Sequence, residues 1–141
     1  MNPTIVVDTS IVVSALIGKR GPSREVIRKC LTGEYNPLMS NPLFQEIEDV
    51  IAREKIKALT PLTTKEIRAF VNAFYSTSKW VPIYFLWRPN LLDEGDNFLI
   101  ELAIAGNASV IVMNNIKDLH GAQLVFNELQ IMKPEQILRE D

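Results

Sequence analysis

Five short apolar runs, at residues 4–7, 38–40, 81–85, 109–113 and 129–132, alternate with stretches whose apolar residues recur at helical spacing. This alternation constrains the fold more than any other feature. Runs of this length, without polar alternation, suit strands covered on both faces. Strands that alternate with helices are joined by right-handed crossovers into a mostly parallel sheet. The chain therefore reads as α/β, a three-layer α/β/α sandwich with a mostly parallel central sheet. Its 141 residues are one domain's worth, so residues 1–141 are expected to form a single unit. In such sheets ligands collect beyond the carboxyl ends of the strands. The residues just after each strand are therefore the informative ones.

The helices carry recognisable start and stop signals. Residues 11–17 continue the first strand as a helix, with Thr9 or Ser10 as its cap. Ser23 caps a second helix with the stripe Val26, Ile27, Cys30 and Leu31, which Gly33 ends. Asn41-Pro42 opens a third, a cap followed by proline at the first helical position. Thr63 and Glu66 form a capping box ahead of Ile67, Phe70, Val71, Phe74 and Tyr75. Residues 98–105 are nearly all apolar and stop at Gly106. Lys133-Pro134 opens a last turn or short helix.

The residue inventory excludes several chemistries. One cysteine, Cys30, excludes an intrachain disulfide framework and a cysteine zinc cluster. It lies on an apolar helix stripe and reads as core. One histidine, His120, excludes multi-histidine metal sites. No apolar run reaches the ~18 residues that a membrane helix needs, and Met1-Asn2-Pro3 leads into a strand-like run without a basic-then-apolar pattern, so no signal peptide is expected. The expected compartment is reducing and soluble, most simply the cytoplasm. Fifteen basic and 17 acidic residues give a net charge of −2. That excludes a chain that coats nucleic acid by bulk charge. The charge is polarised: residues 1–92 balance to +4 and residues 93–141 to −6.

Acidic residues fall where ligands are expected. Asp8 follows the first strand directly, Asp96 opens the helix after residues 81–85, and Asp118 follows residues 109–113 by a short loop. On the third helix, Glu46 lies at the edge of the Leu43, Ile47 and Val50 stripe, whereas Glu48 and Asp49 lie elsewhere on the wheel. Among these three only Glu46 can look back to the sheet edge. A carboxylate heading an inward-facing stripe is costly unless it is paired or binds a cation. Carboxylates that converge repel one another, and a divalent cation removes that cost. Mg²⁺ and Mn²⁺ take oxygen ligands, activate water and stabilise phosphoryl charge. Metal-assisted phosphodiester hydrolysis is the chemistry this inventory supports best. Each acid alone has a simpler reading. Asp8 would cap a helix, Asp93 and Asp96 would be turn and cap residues stabilising by about 1 kcal/mol, Asp118 would sit in a loop, and Glu46 would reach solvent. The residues by themselves leave both readings open.

Four segments in order bring in a family. They are V-V-D-T-S-I-V-V-S-A-L from Val6, S-N-P-L-F-Q-E-I from Ser40, L-D-E-G-D-N-F-L-I-E-L-A-I-A-G-N-A from Leu92, and V-I-V-M-N-N-I-K-D-L from Val110. The sequence resembles the PIN (PilT N-terminal) domain nucleases, in the branch of toxin components of toxin–antitoxin pairs. The resemblance runs over essentially the whole chain, to Lys133-Pro134-Glu135. It implies Mg²⁺- or Mn²⁺-dependent cleavage of single-stranded RNA, a homodimer and an antitoxin partner. It carries Asp8, Glu46 and Asp96 onto the three core acids of the family, Asp93 onto an acid just upstream of the third, and Asp118 onto one near the fourth motif. Two motifs depart from the pattern: Ser10 stands where the family usually has Asn two residues after the first Asp, and in the fourth motif Met113 replaces the usual Thr while Asn115 holds the position that carries Asp or Asn. Asn115 can ligate through its carbonyl but adds no charge.

The remaining expectations are narrower. Arg24 and Arg28 share a helix face, with Lys19, Arg20 and Lys29 nearby, and would contact an RNA backbone if they are not simply solvated. Trp80, Tyr84 and Trp87 would stack bases if they are not packing residues. The alternative to a nuclease is a catalytically weakened binding module of the same fold, which Ser10 and Met113 favour. A phosphoacceptor using Asp8 as nucleophile lacks a second Asp two residues on and a glycine-rich phosphate loop. Setting aside Asp8, Glu46, Asp93, Asp96 and Asp118 leaves 12 acidic against 15 basic residues. The overall −2 is thus compatible with an acidic pocket in a mildly basic remainder.

Overall fold

Apolar strands at the centre and helices capped at each strand's end set the architecture. The computed structural model describes residues 2–18, 21–82, 97–114 and 128–140. In order the elements are β1 (Thr4–Val7), α1 (Thr9–Ile17), α2 (Pro22–Leu31), β2 (Asn36–Met39), α3 (Asn41–Ile51), α4 (Glu54–Leu59) and α5 (Thr64–Thr77). Then come β3 (Lys79–Trp80), α6 (Asn97–Ala105), β4 (Val110–Val112), β5 (Gln130–Met132) and α7 (Pro134–Arg139). The five strands form one all-parallel sheet in the order β3-β2-β1-β4-β5. β1 is central because Ile5, Val6 and Val7 are fully buried, paired with Val110, Ile111 and Val112 on one side. On its other side Thr4 and Ile5 pair with Asn36 and Pro37.

Helices cover both faces of this sheet. Right-handed crossovers put the helices between β1, β2 and β3 on one face and the return to β4 on the other. α6 lies across β1, β2 and β4, while α5 and α7 pack on α2. Gly106 ends α6 where a Cβ would come 2.3 Å from Leu38 Cδ1, so the glycine permits the close approach of helix and strand. Among the described residues no helix is long and apolar enough to cross a membrane.

Several boundaries differ from the sequence expectation by one or two residues. Asp8, rather than Thr9 or Ser10, caps α1. Ser40 caps α3 through its hydroxyl, with Asn41 and Pro42 already inside the first turn. Gly21 precedes α2 with no side-chain cap, and Ser23 is buried within its first turn. Where Asp, Thr, Ser and Asn are adjacent, each can cap, and the strand's own length decides which one does. α4 is six residues long, too short to show a helical period. β3 lies at Lys79 and Trp80, ahead of the apolar run at residues 81–85, because an edge strand needs no apolar continuity. Its ladder reaches one residue further, Val81 N donating to Met39 O at 2.8 Å. The rest of that run, residues 83–85, lies outside the described residues.

Candidate functional site

The sheet order changes direction at β1. From β1 the chain steps outward to β2 and β3, then returns past β1 to β4 and β5. The carboxyl ends of β1 and β4 therefore flank the topological switch point, where open α/β sheets bind ligands. Asp8 follows Val7 there, and its backbone N–H continues the ladder by donating to Val112 O at 2.9 Å.

Local sequence holds the Asp8 side chain. The helix starts immediately at Thr9, so Asp8 is its cap, and its carboxylate accepts from Ser10 N at 3.3 Å. The Ser10 hydroxyl donates to the same Oδ2 at 2.6 Å. One carboxylate oxygen is thus held by two donors, which fixes the group at the sheet edge. Ser10 performs this with a hydroxyl.

Glu46 reaches the same place from α3. Leu43 and Ile47 bury the helix face against the core. Glu46, at the margin of that face, is half-buried and accepts a hydrogen bond from Thr9 Oγ1. Thr9 itself is 6% exposed, so the donor side of this part-buried bond is shielded from water. Burial is the main influence that pushes the Glu46 carboxyl above its usual range. The Thr9 bond opposes it, the negative charge of Asp8 adds to it, and the positive charge of Arg53 offsets part. Asp8 and Glu46 are therefore within electrostatic reach of each other. Glu48 turns to the other flank of α3, where Arg68 and the Tyr75 hydroxyl bind it. Asp49 is exposed.

The other expected residues divide clearly. Asp93, Asp96, Asn115 and Asp118 lie outside the described residues, as do Lys19, Arg20, Tyr84, Trp87 and His120. Among the described residues no group of three or more His, Cys, Asp or Glu side chains could hold a metal ion. Asp8 and Glu46 are the two described members of the expected set. Met113, just after β4, is 2% exposed, and its N–H donates to Met132 O at 3.0 Å, so its thioether belongs to the core. Arg24 donates to Gly18 O at 2.8 Å, tying α2 to the end of α1. Arg28 is bonded to Glu25 and lies 3.9 Å from Glu34. Cys30 is buried, and burial pushes its thiol up to about 12, as suits a core position.

Two contributors escape the sequence reading. Thr9 reads there as a cap; a β-branched hydroxyl directly after a strand-terminal Asp was its signal. Asn114 Nδ2 donates to Ser14 Oγ at 3.2 Å, bracing the end of β4 against α1.

Comparison with known proteins gives a family and a fold. Residues 4–117 match the family model described as PIN domain. No curated protein matches the chain. Among solved structures, the crystal structure of VapBC2 from Rickettsia felis bound to a DNA fragment from their promoter holds a similar chain. The TM-score is 0.58 at 16% identity, covering 92% of this chain and 98% of that one. At that identity the likeness carries the fold alone.

Proposed function

The chain belongs to the PIN domain family, and from that premise we propose that it is a divalent-metal-dependent endoribonuclease acting on single-stranded RNA, the toxin of a toxin–antitoxin pair. The observation that carries the reading is the approach of Asp8 and Glu46 at the carboxyl end of β1, each held by a hydroxyl from Thr9 or Ser10. Two carboxylates of which one is half-buried, its pKa raised by burial and by the other's charge, form an anionic site that a hard cation relieves. The donors are all oxygen, which fits Mg²⁺ or Mn²⁺. Asp8, Glu46 and Asp96 would hold the ion, with Asp118, Asp93, Asn115 and Ser10 in support. When bound, the ion supplies charge for the phosphoryl oxygens and lowers the pKa of water.

The chain's own part is positioning. Ser10 keeps the Asp8 carboxylate at the sheet edge. Thr9 holds Glu46 towards it. The Asn114–Ser14 bond keeps the end of β4 alongside α1, so both walls of the crevice keep their spacing. An antitoxin partner, a homodimer and a cytoplasmic setting complete the proposal. They rest on the resemblance of the four motifs, and the partner also on the likeness of the fold to a VapBC2 chain.

Cleavage of single-stranded RNA in Mn²⁺ or Mg²⁺ is the test. Asp8→Asn, Glu46→Gln and Asp96→Asn should each lower the rate by about two to three orders of magnitude, the several kcal/mol a metal site supplies. Equal cleavage by wild type and Asp96→Asn ends the assignment. Met113 favours a second reading, a PIN-fold binding module for RNA or a protein partner, because its buried thioether offers no hard oxygen beside β4. Under that reading Mn²⁺ leaves the thermal midpoint where it was, whereas a metal bound by the native state must raise it.

A further inference from the structure

We propose that Trp80 is a stacking platform for a nucleobase of the single-stranded substrate, next to the scissile phosphate; the inference rests on the nuclease reading above. Trp80 ends the edge strand β3, in register with Met39 of β2. With Ile5 opposite Pro37, Met39 is level with Val7, so Trp80 stands at the same sheet edge as Asp8, two strand spacings or about 10 Å away. α3 joins the two positions. Its Phe44 packs on Trp80 on one flank, and its Glu46 bonds Thr9 on the other.

The indole is exposed and yet fixed. Its Nε1–H donates to Tyr75 O at 3.3 Å. Phe44 and Tyr75 brace it at centroid distances of 5.5 and 6.4 Å, with rings inclined by 56° and 66°. Despite these partners Trp80 remains 44% exposed. A ring held in place before its ligand arrives loses little entropy on binding. A base needs one ring face. A second copy of the chain needs about 800 Å² per partner. The other large apolar side chains exposed among the described residues, Leu59 and Ile104, lie on different elements, α4 and α6. A braced indole that stands alone among the described residues matches the base.

The test reads binding of a 12-nucleotide single-stranded RNA, with abasic sites scanned along it, to the full chain carrying Asp8→Asn so that the RNA survives. One abasic position should weaken binding by about 5- to 140-fold, the range of a single base–aromatic stack. Trp80→Leu should weaken the intact RNA equally and erase that abasic penalty. Unchanged affinity in Trp80→Leu overturns the proposal. So does a shift from dimer to monomer on sedimentation with the abasic penalty kept, which makes the ring a contact between copies. If Trp80→Leu does not fold, Trp87→Phe leaves Trp80 as the remaining indole of the two. Saturating RNA must then quench its fluorescence, and an unchanged spectrum overturns the proposal. A wild-type chain that neither binds nor cleaves the RNA fails before Trp80 is touched, and that result overturns the nuclease reading together with this one.

Discussion

Glu46 carries a conflict between stability and the proposed activity. Its folded pKa is raised, chiefly by burial and further by Asp8. In the interval between its unfolded and folded values the native chain holds a proton that the unfolded chain has released. Stability from this group therefore falls as pH rises through that interval, and at neutral pH the ionised group is a net cost. Glu46→Gln removes the charge and keeps an oxygen to accept from Thr9 Oγ1. In chelator the variant should melt a few degrees above wild type near neutral pH, and the gap should close towards pH 4. With Mn²⁺ the order reverses, because only the wild-type site gains binding energy. Calorimetry in both buffers reads the pair of results; a variant that melts below wild type in chelator contradicts the account. Helical-wheel position singled out Glu46 among the three acids of α3, because beside Leu43 and Val50 it is the one that can look back to the sheet edge. Thr9 was not legible in that way. Its cap reading was chemically equivalent, and only the observed cap at Asp8 frees its hydroxyl for Glu46.

At the scale of elements, α3 is fastened on its other flank by Glu48. Arg68 of α5 donates two bonds to its carboxylate, at 3.0 and 2.9 Å, and the Tyr75 hydroxyl donates one at 2.6 Å. The Arg68 bond is the largest influence holding the Glu48 carboxyl below its usual range, against burial and with help from Tyr75. Here the sign is opposite to that of Glu46. The folded chain releases its proton first, so the stabilisation is full above the ordinary glutamate range near ~4.3. It is lost as pH falls through the lower folded value. Arg68 is half-exposed, so Arg68→Met should cost about 0.5–1 kcal/mol. Tyr75→Phe removes a donor to a charged group from a buried ring and should cost about 1.5–3 kcal/mol at pH 7. Urea unfolding at pH 7 and pH 3 should show both costs shrinking in acid. A cost that persists at pH 3 would assign it to packing. The strands were legible because burial on both faces leaves nothing but apolar residues, as in residues 5–7 of β1 and in β4. α4 and β3 were not: six residues show no period, and an edge strand of Lys79 and Trp80 carries no apolar run.

At the scale of the whole molecule, the sheet order and the charge act together. β1 is central, so the site at its end is walled by α1, α3 and the end of β4 and opens at the switch point. The net charge of −2 supplies no field to hold RNA at a distance. Nor are the guanidinium groups of the helices idle. Arg24 is tied to Gly18, Arg28 to Glu25, and Arg68 to Glu48. Binding should then rest on the site ion, on stacking at Trp80 and on few phosphate contacts. For single strands each phosphate contact contributes about −0.7 to the slope of log K against log salt. Two or three contacts predict a slope of about −1.4 to −2.1, and a loss of affinity of roughly 7- to 18-fold between 50 and 200 mM salt. Fluorescence anisotropy of a labelled RNA across that range measures it directly. A slope steeper than about −4 would mean about six phosphate contacts, and the first side chains to test are Arg24 and Arg28, which would have to leave Gly18 and Glu25 for the backbone. The same titration on Arg24→Gln with Arg28→Gln would then flatten, whereas on the present geometry the double variant keeps the wild-type slope.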